Sequence, residues 1–148
     1  MSSAGGQQMA KDEKLELLHR IPLFSGLDKR QLLRLGQLTD EVDVADGRVL
    51  MREGQQGDEL FIVIQGTLRV EREGQVIARR GPGEFVGEIA LVDEGPRVAT
   101  VVSDGPARLL VVGHHAFHTL MEEFPPIQLV VLRELARRVR HLDREEPH

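Results

Sequence analysis

The chain has 148 residues, of which 41% are hydrophobic, and this is enough for one buried core but small for two domains. Its formal net charge of -5 and its lack of Trp and Tyr argue against nucleic-acid binding, which needs basic side chains and rings that stack on bases. Cysteine is absent, which excludes disulfides, thiolate nucleophiles and cysteine-bound clusters. Because no apolar run is long enough to span a membrane and no secretory signal is evident, we expect a cytoplasmic protein without membrane contacts.

The amino-terminal part predicts a short arm and two helices. Residues 1–12 are small and polar and contain a GGQQM string typical of an expression tag, so a disordered arm is expected there. Lys14 to His19 can form a short helix, which Pro22 prevents from continuing. Asp28 to Gln37 predicts a second helix because its apolar residues share one face; these are Leu32, Leu35 and Leu38.

From Glu41 onward the pattern changes to that of short strands. Glu41 to Val44 alternates, and a turn at Asp46-Gly47 leads into Val49 to Met51, which together predict a β-hairpin. The continuous apolar run Leu60 to Ile64 predicts a buried strand.

A second hairpin is predicted where Thr67 to Arg72 alternates and a turn at Glu73-Gly74 precedes Gln75 to Arg79. Two later apolar runs, Val98 to Val102 and Leu109 to Val112, are separated by a Ser-Asp-Gly-Pro turn. Short strands punctuated by glycine at this spacing predict a jelly-roll β-sandwich, also called a β-roll.

After Gly113 the pattern becomes helical again. One predicted helix ends at Pro125-Pro126, and a longer one runs from Ile127 to about Leu142. The first of these has one apolar face, formed by Phe117, Leu120, Met121 and Phe124. We therefore expect a mainly β fold with short amino-terminal helices and two carboxyl-terminal helices, a single domain over residues 13–143, and a disordered tail at residues 144–148.

A long connection between two predicted strands, Gly81 to Thr100, is the candidate binding segment, because long loops inside compact domains usually carry function. Gly87 allows a ligand to approach the backbone closely, and a short helix beginning at Glu88 would direct free N–H groups at an anion. Arg97 offers a planar pair of donors that matches phosphate oxygens. One carboxylate and one guanidinium suit a ligand with one anionic group and a hydroxyl, such as a cyclic phosphodiester on ribose. A nucleoside triphosphate would need several cations and a metal, and no matching glycine-rich motif is present.

The segment GEIALVDEGPRVAT, Gly87 to Thr100, resembles the phosphate-binding cassette of the cyclic-nucleotide-binding domain family. The resemblance extends over roughly residues 14–143 and includes IPLFSGL, EGQQGDELFIVIQGTLRV and HHAFHTLMEEFPPI. It implies that the cassette glutamate, Glu88, contacts the ribose and that Arg97 and nearby amides contact the phosphate. The full set of implied contacts is Gly87, Glu88, Ala90, Arg97 and Val98, with Val86, Ile89 and Ala99 lining the pocket.

The resemblance also implies the ligand, and no other cofactor. Family members that prefer cGMP often place a hydroxyl after the cassette arginine, whereas Val98 stands there in this chain, which favours cAMP over cGMP. In the family the last helix caps the base, so Arg138 and Leu142 are expected to form a lid that closes over it. Leu142 and Asp143 stand where a family member has hydroxyl side chains, so base recognition departs from the family pattern. The effector domain or partner is not evident, and the chain is either a fragment or works alone.

Other functions stay open at this point. A family member that has lost its ligand would act as a dimerisation or scaffold module, and a seam for a homodimer is indicated by the spacing of Leu132, Leu135, Val139 and Leu142. A cupin-like metalloenzyme is a second alternative, because jelly rolls host such enzymes, but the expected HxH pair is missing. A metal site is a third, suggested by His114, His115 and His118, although no further ligand is apparent. With no nucleophile motif either, we expect a binding module without catalytic residues and without a metal.

Overall fold

The structure is a computed structural model that describes residues 9–93 and 95–145. The helices are α1 (Lys11–His19), α2 (Lys29–Gln37), α3 (His114–Glu123) and α4 (Ile127–Glu145), with short 3₁₀ helices at Pro22–Phe24 and Glu88–Leu91. The strands are β1 (Asp40–Val44), β2 (Val49–Met51), β3 (Glu59–Gln65), β4 (Leu68–Arg72), β5 (Gln75–Arg80), β6 (Phe85–Val86), β7 (Thr100–Ser103) and β8 (Ala107–Gly113). None of the helices in these residues is long and apolar enough to cross a membrane.

The strands form two antiparallel sheets, in the orders β1-β8-β3-β6 and β2-β7-β4-β5. The predicted jelly-roll sandwich with flanking helices is therefore confirmed. The predicted hairpin between β1 and β2 is wrong, since β1 pairs with β8 and β2 pairs with β7. The turn at Asp46-Gly47 instead passes the chain from one sheet to the other. It is held by buried Ser103, which accepts a hydrogen bond from the Gly47 N–H at 2.9 Å and whose Oγ donates to the Ala45 carbonyl at 2.6 Å.

The second predicted hairpin is confirmed as β4 and β5, in which Arg72 lies opposite Gln75. The two turn residues, Glu73 and Gly74, have φ values of 53° and 80°. Positive φ at both central residues is the geometry that matches the twist of paired strands. This hairpin forms one wall of the cavity described below.

The predicted buried strand is confirmed as β3, which is covered on both faces. Leu60 and Ile62 pack against the helices, while Phe61 and Val63 pack into the interior between the two sheets. Burial on both faces explains why the sequence shows a continuous apolar run and not an alternating one. The helical layer on this strand includes Phe24 and Phe117, whose ring centroids lie 5.6 Å apart.

The helix boundaries differ slightly from the predictions. Helix α1 begins at Lys11, three residues before the expected start and inside the segment expected as an arm, while residues 1–8 lie outside the described part. Helix α2 begins after Asp28, whose carboxylate accepts from the Gln31 N–H at 2.8 Å while the Gln31 side chain accepts from the Asp28 N–H. Helix α4 continues past Leu142 to Glu145, so the first two residues of the expected tail are helical, while residues 146–148 lie outside the described part.

The inner face of α4 is formed by Ile127, Val131 and Leu135, which pack against the helical core. Leu135 therefore does not share one exposed stripe with the other residues of the expected dimer seam, because a residue four positions after Val131 lies on the same buried face. The exposed apolar side chains of the helix are Leu129, Leu132, Val139 and Leu142.

Candidate functional site

A cavity of about 570 Å³ lies between the predicted cassette and the inner face of the sheet that contains β4 and β5. Its lining includes all eight residues that the resemblance implied as ligand contacts or pocket lining, namely Val86, Gly87, Glu88, Ile89, Ala90, Arg97, Val98 and Ala99. A concave site that is mostly apolar and carries a few polar groups is the usual form of a small-molecule site. The structure thus brings these side chains together at one cavity.

Gly87 sits where β6 ends and the short 3₁₀ helix Glu88–Leu91 begins, as the sequence predicted. Its φ of 89° is a conformation that favours glycine. A Cβ at this position would lie 2.6 Å from the Glu59 carbonyl oxygen and 2.9 Å from Nη1 of Arg97. Only a residue without a side chain fits here, because both the backbone conformation and the surrounding space exclude one.

The Glu88 carboxylate is buried, with 8% of the residue exposed. Its Oε2 accepts a hydrogen bond of 2.6 Å from the backbone N–H of Leu23, in the first 3₁₀ helix. Its Oε1 lies 2.9 Å from Nη2 of Arg138, in α4. One carboxylate therefore connects the amino-terminal helices, the cassette and the last helix.

Arg138 is held by two carboxylates, Glu88 and, at 3.3 Å from its Nε, Glu134. Burial acts to lower the pKa of Arg138, but the two carboxylates outweigh it and hold the pKa above its usual value. The Nη2 atom is buried and, although close to Glu88, has no well-aligned hydrogen-bond acceptor among the described residues. Neither of the two expected lid residues lines the cavity, since Arg138 contacts Glu88 and Leu142 is 58% exposed.

The guanidinium of Arg97 is half-buried, and no carboxylate of the described residues lies within salt-bridge distance of it. Its Nη2 donates to the Glu59 carbonyl oxygen at 2.8 Å. Burial lowers the pKa of Arg97, and the carboxylates of Glu59 and Asp58 only partly oppose this. The side chain is thus a partly desolvated cation that lines a cavity, which suits it to bind an anion.

The backbone around Arg97 is fixed by two hydrogen bonds to the turn that follows β2. The Arg97 N–H donates to the Gln55 carbonyl at 2.8 Å, and the Gly54 N–H donates to the Arg97 carbonyl at 2.8 Å. The position of the arginine therefore depends on a segment about forty residues away in the chain.

Several lining residues were missed by the sequence analysis. Ile77 on β5 is 50% exposed and, together with Ile89 and Val98, gives the cavity an apolar mouth. Arg72 and Arg80 also line the cavity from β4 and β5. Arg72 and Arg80 each lie two positions after an inward-facing residue, Val70 and Ala78, and this spacing was the signal that could have identified them.

The three histidines of the suggested metal site lie near the start of α3. The His114 and His118 rings are 4.1 Å apart, and Nδ1 of His114 lies 3.1 Å from the Leu91 carbonyl oxygen. Over residues 9–93 and 95–145 there is no group of three or more His, Cys, Asp or Glu side chains that could hold a metal ion.

Comparison with known proteins agrees with this geometry. The sequence model of the family described as "Cyclic nucleotide-binding domain" matches residues 41–124. A CRP-like cAMP-activated global transcriptional regulator of Mycobacterium tuberculosis is 28% identical over 130 residues, which is 84% of this chain and 58% of that protein. The chain thus spans little more than half the length of that relative.

Two solved structures have the same fold. The N-terminal domain of a transcriptional regulator from Streptomyces coelicolor A3(2) has a TM-score of 0.80 and 35% identity, over 87% of this chain and 94% of that one. The regulatory domain of Toxoplasma gondii PKA in co-crystals with cAMP has a TM-score of 0.69 and 30% identity, over 81% of this chain and 46% of that one. This chain belongs to the family of cyclic nucleotide-binding domains.

Proposed function

We propose that this domain binds cAMP as a regulatory ligand and has no catalytic activity of its own. The observation that carries this proposal is the half-buried Arg97 guanidinium, which faces a cavity without a carboxylate within salt-bridge distance among the described residues. Glu88 also lines the cavity, and in this proposal its carboxylate accepts a ribose hydroxyl. The relatives support the choice of ligand, since one is named as cAMP-activated and another was crystallised with cAMP.

In this proposal the cyclic phosphate binds Arg97 and the ribose 2′-hydroxyl donates to Glu88, with the backbone of Gly87, Ala90 and Val98 nearby. The base then lies toward the apolar mouth formed by Ile77, Ile89 and Val98. Val98 offers no hydroxyl to a guanine amino group, which is why we propose cAMP ahead of cGMP. A flat base bound at the mouth would cover this exposed apolar surface.

Calorimetric titration with cAMP and cGMP tests the proposal directly. We expect cAMP to bind with a dissociation constant in the micromolar range or tighter, where about 1 μM corresponds to about -8 kcal/mol. cGMP is the matched comparison and should bind more weakly. If millimolar cAMP gave neither heat nor a thermal shift, the protein would instead be a scaffold that keeps the fold without the ligand.

Helix α4 is the element that we propose carries the signal. Arg138 connects this helix to the carboxylate that would receive the ribose, so a bound ligand and the helix contact the same atoms. A ligand can shift the equilibrium between two positions of the helix only if its affinity for the two positions differs.

The same helix exposes Leu129, Leu132 and Val139. We propose that this stripe contacts a second copy of the chain, so that movement of α4 would change that contact.

Hydrogen exchange tests the involvement of α4. We expect the amides of residues 130–142 to become more protected at saturating cAMP, because the helix closes over the base and gains contacts. The buried strand β3 is the internal control and should change little. Unchanged exchange in α4 with cAMP bound would show that the signal leaves the domain by another route.

A further inference from the structure

The side chain of Arg97 lies directly against the backbone of Gly57, in the turn before β3. A Cβ added at Gly57 would overlap Nε of Arg97 and lie 2.5 Å from its Cζ and 2.7 Å from its Nη2. The three heavy atoms nearest to such a Cβ therefore all belong to Arg97. The space that a side chain at position 57 would need is therefore the space occupied by the guanidinium.

Glycine at position 57 is not explained by its backbone conformation. Its φ lies outside the left-handed region, so an alanine there would meet none of the strain of that region. Gly87, on the other side of the guanidinium, differs because its φ of 89° requires glycine on its own account. The close approach of Arg97 is thus the reason that the structure offers for glycine at position 57.

The two glycines border a slot that the guanidinium occupies. A Cβ at Gly87 would lie 2.9 Å from Nη1 of Arg97, and one at Gly57 would overlap Nε. Within the slot, Nη2 is oriented by its 2.8 Å hydrogen bond to the Glu59 carbonyl oxygen. A cation that is already oriented loses less conformational entropy when an anion binds, and so binds it more tightly.

We propose that Gly57 is a positioning residue for phosphate binding, which acts through Arg97 without touching the ligand. This rests on the proposed function, because it assigns Arg97 to the phosphate. A methyl group at position 57 would push the fork of donors out of the slot and away from Glu59. The charge would stay in the cavity, but its two donors would no longer be aimed at a common point.

The first test is a double-mutant cycle with cAMP on the whole chain. We expect Gly57→Ala to weaken cAMP binding at least about tenfold, since misplacement of a binding group by a fraction of an ångström to an ångström has effects of this order. The midpoint of thermal unfolding should stay that of the wild type. In an Arg97→Ala background the same substitution should have no further effect, because the side chain that it displaces is gone.

Gly113→Ala is the matched control. Gly113 also has no left-handed φ, and a Cβ there meets open space, so cAMP binding should be unchanged. Gly57→Ala protein that binds cAMP like the wild type would overturn the proposal. So would a loss of affinity that persists in full when Arg97 is already alanine, since this would place the effect elsewhere.

A second measurement needs no ligand. In ¹⁵N NMR spectra of the free protein, the Arg97 Nε–H resonance, identified by its absence in Arg97→Ala, should shift or broaden in Gly57→Ala and not in Gly113→Ala. If the wild type bound no cyclic nucleotide, the proposed function would fail while this resonance still reported on the slot. An unmoved resonance would overturn the positioning role even if the protein bound cAMP.

Discussion

Replacing Arg97 with alanine is expected to weaken cAMP binding by about 2–5 kcal/mol, because it leaves a desolvated phosphate without its charged partner. The remaining arginines of the cavity, Arg72 and Arg80, lie on the β4–β5 hairpin, and Nε of Arg72 donates to the Val98 carbonyl oxygen at 3.2 Å. Calorimetry on wild type and variant measures the difference, and a thermal unfolding scan without ligand checks that the fold is retained.

Arg97→Lys is the control that separates charge from geometry. Lysine supplies a positive charge without the planar fork, so it should recover only part of the lost affinity. It also cannot donate in the same way to the Glu59 carbonyl while facing the cavity. Wild-type affinity in Arg97→Ala would show that the phosphate, or the whole ligand, binds elsewhere.

Replacing Glu88 is expected to affect both stability and ligand binding, because this carboxylate is the contact between three segments. Glu88→Ala leaves the buried Leu23 N–H without its acceptor and Arg138 without one of its two carboxylates. We expect the free energy of unfolding to fall by about 2–4 kcal/mol, mostly from the lost charge-assisted hydrogen bond. The ion pair contributes less, since the Arg138 side chain is 30% exposed and partly screened by solvent.

Glu88→Gln separates these two roles. The amide keeps an oxygen that can accept from Leu23, so chemical denaturation should show a smaller loss of stability than for Glu88→Ala. Its binding of cAMP should still weaken, because a neutral acceptor bonds the ribose hydroxyl less strongly than a carboxylate does.

The 2′-deoxy analogue of cAMP tests which atom Glu88 contacts. Removal of the ligand hydroxyl and the Glu88→Gln substitution should not have additive effects, because both remove the same hydrogen bond. Fully additive losses would place Glu88 away from the ribose and leave it the purely structural role that its contacts with Leu23 and Arg138 already show.

The fold class and the position of the cassette could be predicted because their signals are local. Alternation in β4 and β5 and the turn at Glu73-Gly74 lie within a few residues of one another, and so does the pattern of glycine, glutamate and arginine in the cassette. The hairpin predicted at Asp46-Gly47 was wrong because strand pairing there is not a local property. A short alternating pattern shows that a strand has one buried face, but not which strand it pairs with, and here the partners lie fifty or more residues away.

By itself, the sequence determined that the chain is a jelly roll with helices at both ends and that Glu88 and Arg97 lie in one connection between strands. Only the tertiary structure decided what those two side chains contact. Glu88 meets a backbone N–H 65 positions earlier and Arg138 in the last helix, and Arg97 lies against Gly57 and the Glu59 carbonyl. Such contacts join elements that are distant in the chain and are selected by packing and by the need to satisfy buried polar groups. No local spacing encodes them, because the free energy that favours them arises only when the sheets and helices have come together.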